Sequence, residues 1–267
     1  MNKDTFKLLK LSQNKSAQNK SAQNISNDIN KNIYILWYQG FINAPDVVRI
    51  CVYSWQINNP DYNVILLDKN NLANYININK YVSEYEEKLT IQQLSDLIRL
   101  IILYELSGFW VDASVYCNIS LNKWIDKHID NNFFAFDRPT ADRLFSNWFL
   151  YGNKNSVVIK LLLEKYVKTL NSLHVKRNLL NGHDIHDNDF EYFLFHKQAN
   201  NLYIDSKQFA SEYDRLIKIS ANIPHIAQHI GLSLSITDDI IDKLYKAIIY
   251  VAYSNYIEMM KMNKLPI

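Results

Sequence analysis

Hydrophobic and polar positions alternate along the middle of this chain in blocks that predict alternating strands and helices. Short apolar runs at 33–37 and 62–67 predict two strands. The stretch between them predicts a helix that has Pro45 in its first turn and ends near Ile57. A strand, a helix and a second strand in this order are typical of a βαβ unit with parallel strands.

The longest apolar block, residues 91–106, predicts a buried helix. Thr90 and Gln93 match a capping box at its start. Asp96 and Arg99 lie three residues apart, so they share one polar stripe on an otherwise apolar helix. Because buried charges must be paired or used, these two residues form either a structural ion pair or part of a site.

Asp112 stands at the end of the strand that follows this helix. Gly108 suits the helix C-terminus, and residues 109–111 predict a short inner strand that meets its loop at Asp112. Taken as whole apolar runs, 109–115 and 133–136 predict two further strands of the sheet. Ligands of open α/β sheets bind where parallel strands meet their loops, so Asp112 is the first candidate site residue, with a turn cap as the alternative. The predicted fold is α/β, a mostly parallel sheet flanked by helices, with a C-terminal helical part that includes a helix at 238–260.

Composition favours one folded domain and excludes several other classes of protein. The 267 residues are 48% hydrophobic, which is enough for a large core. A net charge of +2, with basic and acidic residues interspersed, gives no reason to expect nucleic acid as a partner. Cys51 and Cys117 form neither a disulfide framework nor a zinc motif, and no apolar run reaches the roughly 18 residues of a membrane span. These features predict a cytoplasmic protein.

The first residues of the chain differ from the rest. A polar five-residue unit repeats at 16–20 and 21–25, and such a sequence has nothing to bury. We therefore predict a disordered leader at 1–31 and one domain at 32–267. Residues 1–11 combine large apolar side chains with lysines, which leaves peripheral contact with an anionic membrane as an alternative to a frayed end.

A series of motifs resembles bacterial glycosyltransferases of capsular polysaccharide synthesis that carry a DXD-type motif. The most specific of them are Ser95-Asp96-x-x-Arg99, Leu103-Tyr104, and Gly108 before an aromatic-rich strand that ends in Asp112. The other matching fragments are 37–40, 43–45, 54–55, 59–68, 146–149, 192–196, 224–225 and Gln228. The resemblance covers residues 32–231. It implies a GT-A fold and the transfer, with retention, of a hexose or hexosamine from a nucleotide sugar such as a UDP-sugar to a surface polysaccharide or lipopolysaccharide.

The chain departs from the family motif at one position. Ser114 stands where many relatives carry the second aspartate, so Asp112-Ala113-Ser114 is an incomplete DXD. A hydroxyl is a weaker ligand for a hard divalent cation than a carboxylate. The resemblance implies a Mn²⁺ or Mg²⁺ ion bound by Asp112 and His225, and the serine puts that metal dependence in question.

The resemblance also implies roles for individual residues. Donor-binding residues are Trp37, Tyr38, Gln39, Asp96, Arg99, Asp112, Ser114, His225 and Gln228. Catalytic residues are Asp112 and Asp189, and acceptor-binding residues are Asn147 and Trp148. Trp37 as an ordinary core residue and His229 in place of His225 stay open, and His196 is expected to pack. The run at 183–189, with two histidines and three aspartates, fits a metal site or a solvated loop.

Two other classes of function remain. One is a degenerate member that binds a nucleotide sugar or a glycan without turnover, which the replacement by Ser114 suggests. The other is a different nucleotide-dependent transferase at the same edge of the sheet. The five glycines form neither a GxGxxG nor a Walker motif, which counts against the second class.

Overall fold

The computed structural model describes residues 29–129, 132–179, 194–216, 219–220, 227–230 and 248–251. The helices are α1 (Asp46–Asn58), α2 (Tyr85–Lys88), α3 (Ile91–Glu105), α4 (Val157–Leu179), α5 (Leu194–Asp205) and α6 (Lys207–Asp214). The strands are β1 (Asn32–Leu36), β2 (Asn63–Leu67), β3 (Gly108–Asp112), β4 (Val115–Cys117), β5 (Phe133–Asp137), β6 (Phe145–Gly152), β7 (Ile219–Ser220), β8 (Ala227–Ile230) and β9 (Ile248–Val251). Short 3-10 helices lie at Phe41–Asn43, Leu72–Asn74, Ile78–Lys80, Leu121–Lys123 and Ile125–Lys127.

The main sheet has six strands in the order β2-β1-β3-β6-β5-β7. Strands β2, β1 and β3 pair in parallel, and β5 and β7 also pair in parallel. Strand β6 runs antiparallel to both of its neighbours, β3 and β5, so it is the one reversed strand of this sheet. The predicted α/β fold with a mostly parallel sheet flanked by helices is therefore confirmed.

Side chains alternate between the two faces of this sheet, as the period of two along a strand requires. The first face packs against α1, β4 and the segment around Trp124; in β1 and β3 it takes Ile33, Ile35, Phe109 and Val111. The second face packs against α3, α4, α5 and α6; in the same strands it takes Tyr34, Leu36 and Trp110. The sheet is thus buried on both sides, and the long apolar runs of its strands follow from that burial.

Helix α3 begins and ends largely as its sequence predicts. The Thr90 hydroxyl accepts from the Gln93 backbone N–H at 3.3 Å, and the Gln93 side chain accepts from the Thr90 N–H at 3.1 Å, which completes the capping box. At the other end Ser107, and not Gly108, takes the left-handed conformation. Gly108 opens β3 at φ +127°, where a Cβ would come within 2.6 Å of the Asn32 carbonyl oxygen.

Two predicted elements are wrong. The single strand predicted at 109–115 is divided by a turn into β3 and β4, and β4 pairs with β9 in a second sheet of order β4-β9-β8. The helix predicted at 238–260 is contradicted at 248–251, where β9 pairs with β4 and β8. The sequence of β9, Ile-Ile-Tyr-Val, is rich in β-branched and aromatic residues, and pairing with distant strands outweighs its helical spacing. Strands β7, β8 and β9 follow α6, so the described residues do not show the C-terminal helical part that was expected.

Residues 1–28 of the predicted leader lie outside the described residues. In the described ranges, none of the helices has the length and apolar character needed to cross a membrane.

Candidate functional site

The parallel strands bring the candidate residues to one edge of the main sheet, which we call the carboxyl edge. Strands β1, β2, β3 and β5 all end there, followed by Trp37, Asp68, Ala113 and Arg138. Helix α3 runs back from this edge to the start of β3, so its first turns lie near Asp112. This is the edge at which α/β sheets bind ligands.

Arg99 is the centre of a hydrogen-bonded group that we call the Arg99 network: Asp96, Arg99, Trp110, Asp112 and Asn147. Its Nη1 donates to Asp96 Oδ1, and its Nη2 donates to Asp112 Oδ1 at 2.9 Å. The Trp110 indole Nε1 donates to the same Asp112 oxygen at 2.8 Å, and Asn147 Nδ2 approaches Asp96 Oδ1 at 3.5 Å. Two carboxylates therefore share one guanidinium.

Aromatic rings enclose the cation of this network. The Arg99 side chain is 4% exposed. Its Cζ lies 5.2 Å from the centroid of the Trp110 ring and 5.7 Å from that of the Phe195 ring on α5. Arg99 Nε is buried and has no hydrogen-bond partner in the described part of the chain. Such surroundings fix the orientation of the guanidinium and keep water away from it.

Burial sets the protonation behaviour around the network. Desolvation raises the pKa of Asp96 to about 6; the positive charge of Arg99 opposes this rise and the negative charge of Asp112 adds to it. Burial also raises the pKa of Tyr166, which faces Asp96 from α4, well above its ordinary value. On α5, burial and then the charges of Arg143 and Arg99 lower the pKa of His196 to about 3, so this imidazole is neutral.

Asp112 is the member of the network that opens toward solvent. Its side chain is 26% exposed, and both hydrogen bonds that it accepts from described residues go to Oδ1. Oδ2 has no hydrogen-bond partner among the described residues. Ser114 lies half-buried in the turn just after it. Asp112 thus has one oxygen fixed by the protein and one available to a ligand.

The described residues offer few ligands for a metal ion. They contain no group of three or more His, Cys, Asp or Glu side chains that could hold one. His225 lies outside the described residues, so the structure does not test the metal ion predicted at Asp112 and His225.

The residues that follow β1 lie at the carboxyl edge in different settings. Trp37 is half-buried and packs against the first core face, while Gln39 is exposed. The Tyr38 hydroxyl donates to Glu86 Oε1 at 2.7 Å, and Lys69 pairs with the same oxygen at 3.0 Å. Burial, and then the bond to Glu86, raise the pKa of Tyr38, so its hydroxyl stays protonated.

The two residues predicted on the acceptor side fall into different places. Asn147 is half-buried and joins the Arg99 network through Asp96. Trp148 is buried in the first core face, where its ring stacks on Phe136 at 5.2 Å between centroids. Acceptor binding by either residue stays a prediction.

Several predicted site residues lie outside the described ranges. These are Asp189 with the rest of the run at 183–189, and His225. Gln228 and His229 lie in β8, whose backbone alone is described. His196, expected to pack, is buried on α5, as predicted.

The structure adds three aromatic residues to the site that the sequence did not single out: Trp110, Tyr166 and Phe195. Trp110 lies two positions before Asp112, so both are on the same face of β3, and this spacing was the available signal. Tyr166 and Phe195 come from helices distant in sequence, and only the fold brings them to Arg99.

The fold and the site together define an α/β protein with a largely buried charge network at the carboxyl edge of its sheet. The sequence profile of a family described as capsular polysaccharide synthesis protein matches residues 2–247. The chain therefore belongs to the capsular polysaccharide synthesis family.

This chain is similar to the O-glycosyltransferase braB of Annulohypoxylon truncatum. The match, with 26% identity over 157 aligned residues, covers 52% of this chain and 37% of that protein. The match thus spans little more than a third of that relative's length.

Among solved structures, apo mouse xyloside xylosyltransferase 1 is similar with a TM-score of 0.47 and 10% identity, over 85% of this chain and 99% of that one. The PaToxG glycosyltransferase has a TM-score of 0.43 and 16% identity, over 69% and 73% of the two chains. The UDP-bound glycosyltransferase domain from the YGT toxin has a TM-score of 0.39 and 11% identity, over 69% and 68%. All three likenesses are distant.

Proposed function

We propose that this chain is a glycosyltransferase that moves a hexose or hexosamine from a nucleotide sugar, a UDP-sugar, to a growing surface polysaccharide or lipopolysaccharide, with retention of configuration. The Arg99 network is the observation that carries the proposal. It places a fixed carboxylate with one available oxygen at the ligand-binding edge of an α/β sheet, in a chain of the capsular polysaccharide synthesis family.

The network supplies what binding of a nucleotide sugar requires. Asp112 Oδ2 can accept a hydrogen bond from a hydroxyl of the ribose or of the donor sugar. Because Arg99 Nη2 and Trp110 Nε1 both hold the other oxygen, the carboxylate needs no reorganisation to do so.

Residues around the network complete the proposed binding sites. Trp37, Tyr38 and Gln39 follow β1 at the same edge, and we assign the nucleoside to them. We assign the acceptor to Asn147 together with Asp189. A lipid-linked acceptor would bring the protein to the inner face of the cell membrane.

A divalent cation, Mn²⁺ or Mg²⁺, is part of the proposal and depends on donor oxygens. Asp112 Oδ2 and the Ser114 hydroxyl are the described ligands, and His225 and Gln228 are the other predicted contacts. Mg²⁺ in proteins is commonly bound by one or two carboxylates together with substrate phosphates. The residues therefore fit an ion shared with the donor diphosphate better than an ion held by protein alone.

The surroundings of the acidic residues favour retention over inversion. Inversion requires a carboxylate or histidine free to act as general base for the acceptor. Asp68 accepts from the backbone N–H groups of Asn70 and Asn71, and Asp137 accepts from Tyr213. Asp96 and Asp112 are both bonded to Arg99. Each of these four described carboxylates already has a partner, and the open oxygen of Asp112, Oδ2, is assigned to the donor and not to the acceptor.

The proposal is tested by thermal unfolding of the purified chain with a panel of nucleotide sugars, with and without Mn²⁺. A donor that binds only the folded state raises the free energy of unfolding, by about 2.7 kcal/mol at 100 times its Kd. The variant for comparison is Asp112→Asn, which keeps the shape of the side chain. We expect one UDP-sugar to stabilise the wild type, and Asp112→Asn to lose that stabilisation and the transfer of sugar to acceptor.

Glu105→Gln is the matched control. Glu105 is 25% exposed, close to the 26% of Asp112, and it also accepts from two partners, Lys80 at 2.8 Å and Tyr81 at 2.6 Å. It lies at the opposite end of α3 from the carboxyl edge. We expect this variant to bind the donor as the wild type does.

The other outcomes of this experiment separate the rival functions. Stabilisation by a donor without transfer to any glycan acceptor would favour a nucleotide-sugar-binding module. Absence of stabilisation by every nucleotide sugar would contradict the proposal and favour a different transferase. Stabilisation that needs Mn²⁺ would support the shared ion, and stabilisation without it would mean that hydrogen bonds alone hold the donor.

A further inference from the structure

We propose that Trp110 is a positioning residue for the donor site: its indole N–H and its ring face together fix Asp112 and Arg99, so that Asp112 presents one oxygen to the ligand. The inference rests on the proposed function for the identity of the ligand. Nothing in the DXD motif itself requires a tryptophan two positions before the aspartate.

The indole of Trp110 contacts both partners of one ion pair, Asp112 and Arg99. Its Nε1 lies 2.8 Å from Asp112 Oδ1, and its ring centroid lies 5.2 Å from Arg99 Cζ. Arg99 Nη2 in turn lies 2.9 Å from the same Asp112 oxygen. The three side chains form a closed set in which each one contacts the other two, and a closed set restricts rotation more than a single bond does.

The position of Trp110 in the sheet makes it a rigid support. It is 1% exposed and lies on the central strand β3, with Tyr34 of β1 on one side and Leu150 of β6 on the other. Asp112 is the last residue of the same strand, and a turn follows it. Without the indole, the last side chain of β3 would keep its ion pair but lose the contact that orients its carboxylate plane.

This arrangement determines how Asp112 meets a ligand. Two donors, Arg99 Nη2 and Trp110 Nε1, occupy Oδ1. A ligand that requires both carboxylate oxygens would have to displace a buried guanidinium or a buried indole. Asp112 is therefore arranged for monodentate contact through Oδ2, either with one sugar or ribose hydroxyl or with one coordination position of a cation.

Trp110→Phe tests the inference because it removes the N–H and keeps an aromatic ring near Arg99. Trp55→Phe is the matched control. Trp55 is also fully buried, and its Nε1 donates to the Val115 carbonyl at 2.7 Å, so both variants remove one buried indole hydrogen bond. We expect similar losses of thermal stability, and an affinity for the UDP-sugar about tenfold lower in Trp110→Phe only. Equal affinity in the two variants would overturn the inference.

A double-mutant cycle separates positioning from general damage to the site. If Trp110 acts through Asp112, Trp110→Phe weakens donor binding in the wild-type background and has little further effect in an Asp112→Asn background. Additive losses would show that Trp110 contributes independently of Asp112, and the inference would then be wrong. The measurement is the Kd for the donor, by calorimetric titration of all four proteins.

A second measurement needs no donor and no change at Trp110. In spectra of ¹⁵N-labelled wild type, we expect the assigned Trp110 indole N–H signal to move when Asp112 is replaced by Asn, while the Trp55 signal stays in place. A Trp110 signal that does not move would overturn the inference even if no nucleotide sugar binds. If the signal moves but no donor binds the wild type, the contact between Trp110 and Asp112 is supported and only the proposed function is contradicted.

Discussion

The two faces of the main sheet are buried to a similar degree, yet their buried polar groups differ in kind. On the α1 face they are neutral: Ser54, Asn59 and the Trp55 indole. On the α3 face they include the charged pair Asp96 and Arg99. The neutral groups bond chiefly to backbone atoms, whereas the charged groups bond to one another and to Asp112.

The neutral groups connect elements that are distant in sequence. The Asn59 side chain donates to the Trp55 carbonyl at 3.1 Å and accepts from the Leu121 N–H at 2.8 Å. The Ser54 hydroxyl accepts from the Cys117 N–H at 2.8 Å, and Trp55 donates to Val115. These bonds tie α1 to β4 and to the segment after it. They satisfy backbone groups that burial would otherwise leave without partners.

The charged groups are costly where they lie. Burying an ion pair removes both charges from water, and the free energy of this desolvation often exceeds the attraction between the two charges. A protein in which apolar residues replace the pair is therefore often as stable or more stable. The raised pKa of Asp96 is a direct sign of this cost. The comparison indicates that neutral buried groups stabilise the fold, while the proposed ligand at the carboxyl edge would explain the buried charges. Three substitutions test this difference.

Arg99→Met has the largest expected effect. It keeps an apolar stem of similar length between the Trp110 and Phe195 rings, but it leaves Asp96 and Asp112 without their shared cation. We expect a loss of about 3 to 5 kcal/mol in the free energy of unfolding, measured by urea denaturation at neutral pH. Lys80→Met, which removes an exposed cation paired with Glu105, is the control and should change stability little. Equal losses in the two variants would contradict the special position of Arg99.

Asp96→Asn changes how stability depends on pH. The pKa of Asp96 is about 6 in the folded protein, above its ordinary value, so the folded state binds a proton more readily than the unfolded state does. Its contribution to stability is full below the ordinary carboxyl pKa and is lost as pH rises through about 6. We expect wild type to lose about 2 to 3 kcal/mol relative to Asp96→Asn between pH 4 and pH 7.5.

Chemical unfolding of both proteins across this pH range measures the difference. If the free energies of unfolding of wild type and Asp96→Asn changed with pH in parallel, Asp96 would not be desolvated in the folded protein.

Asn59→Ala should have the smallest effect on stability and none on the site. It leaves the Leu121 N–H without a partner in the α1-face core, which we expect to cost about 1 to 2 kcal/mol. Because Asn59 touches no member of the Arg99 network, the affinity for the donor nucleotide sugar should stay at the wild-type value. Calorimetric titration at a temperature where both proteins are folded checks this, and a weakened donor affinity would mean that the two faces are coupled.

Much of the site could be predicted because its signals are local. These signals depend on residues close in sequence: Thr90 with Gln93, the spacing of Asp96 and Arg99, and the position of Asp112 at a strand end. The structure brings Asp96, Arg99 and Asp112 together. Trp148, which the resemblance assigned to the acceptor, packs in the core. Its burial depends on Phe136 in the neighbouring strand, which local spacing does not reveal.

The order of β1, α1, β2, α3, β3 and β5, the burial of α3 and the candidacy of its charged stripe were determined by the sequence alone, because side-chain periodicity and capping act over a few residues. Tertiary structure decided the rest: the strand at β9, the division of β3 from β4, the reversed strand β6, and the enclosure of Arg99 by Trp110 and Phe195. These features depend on pairing and packing between segments far apart in the chain, where distant partners outweigh local preference.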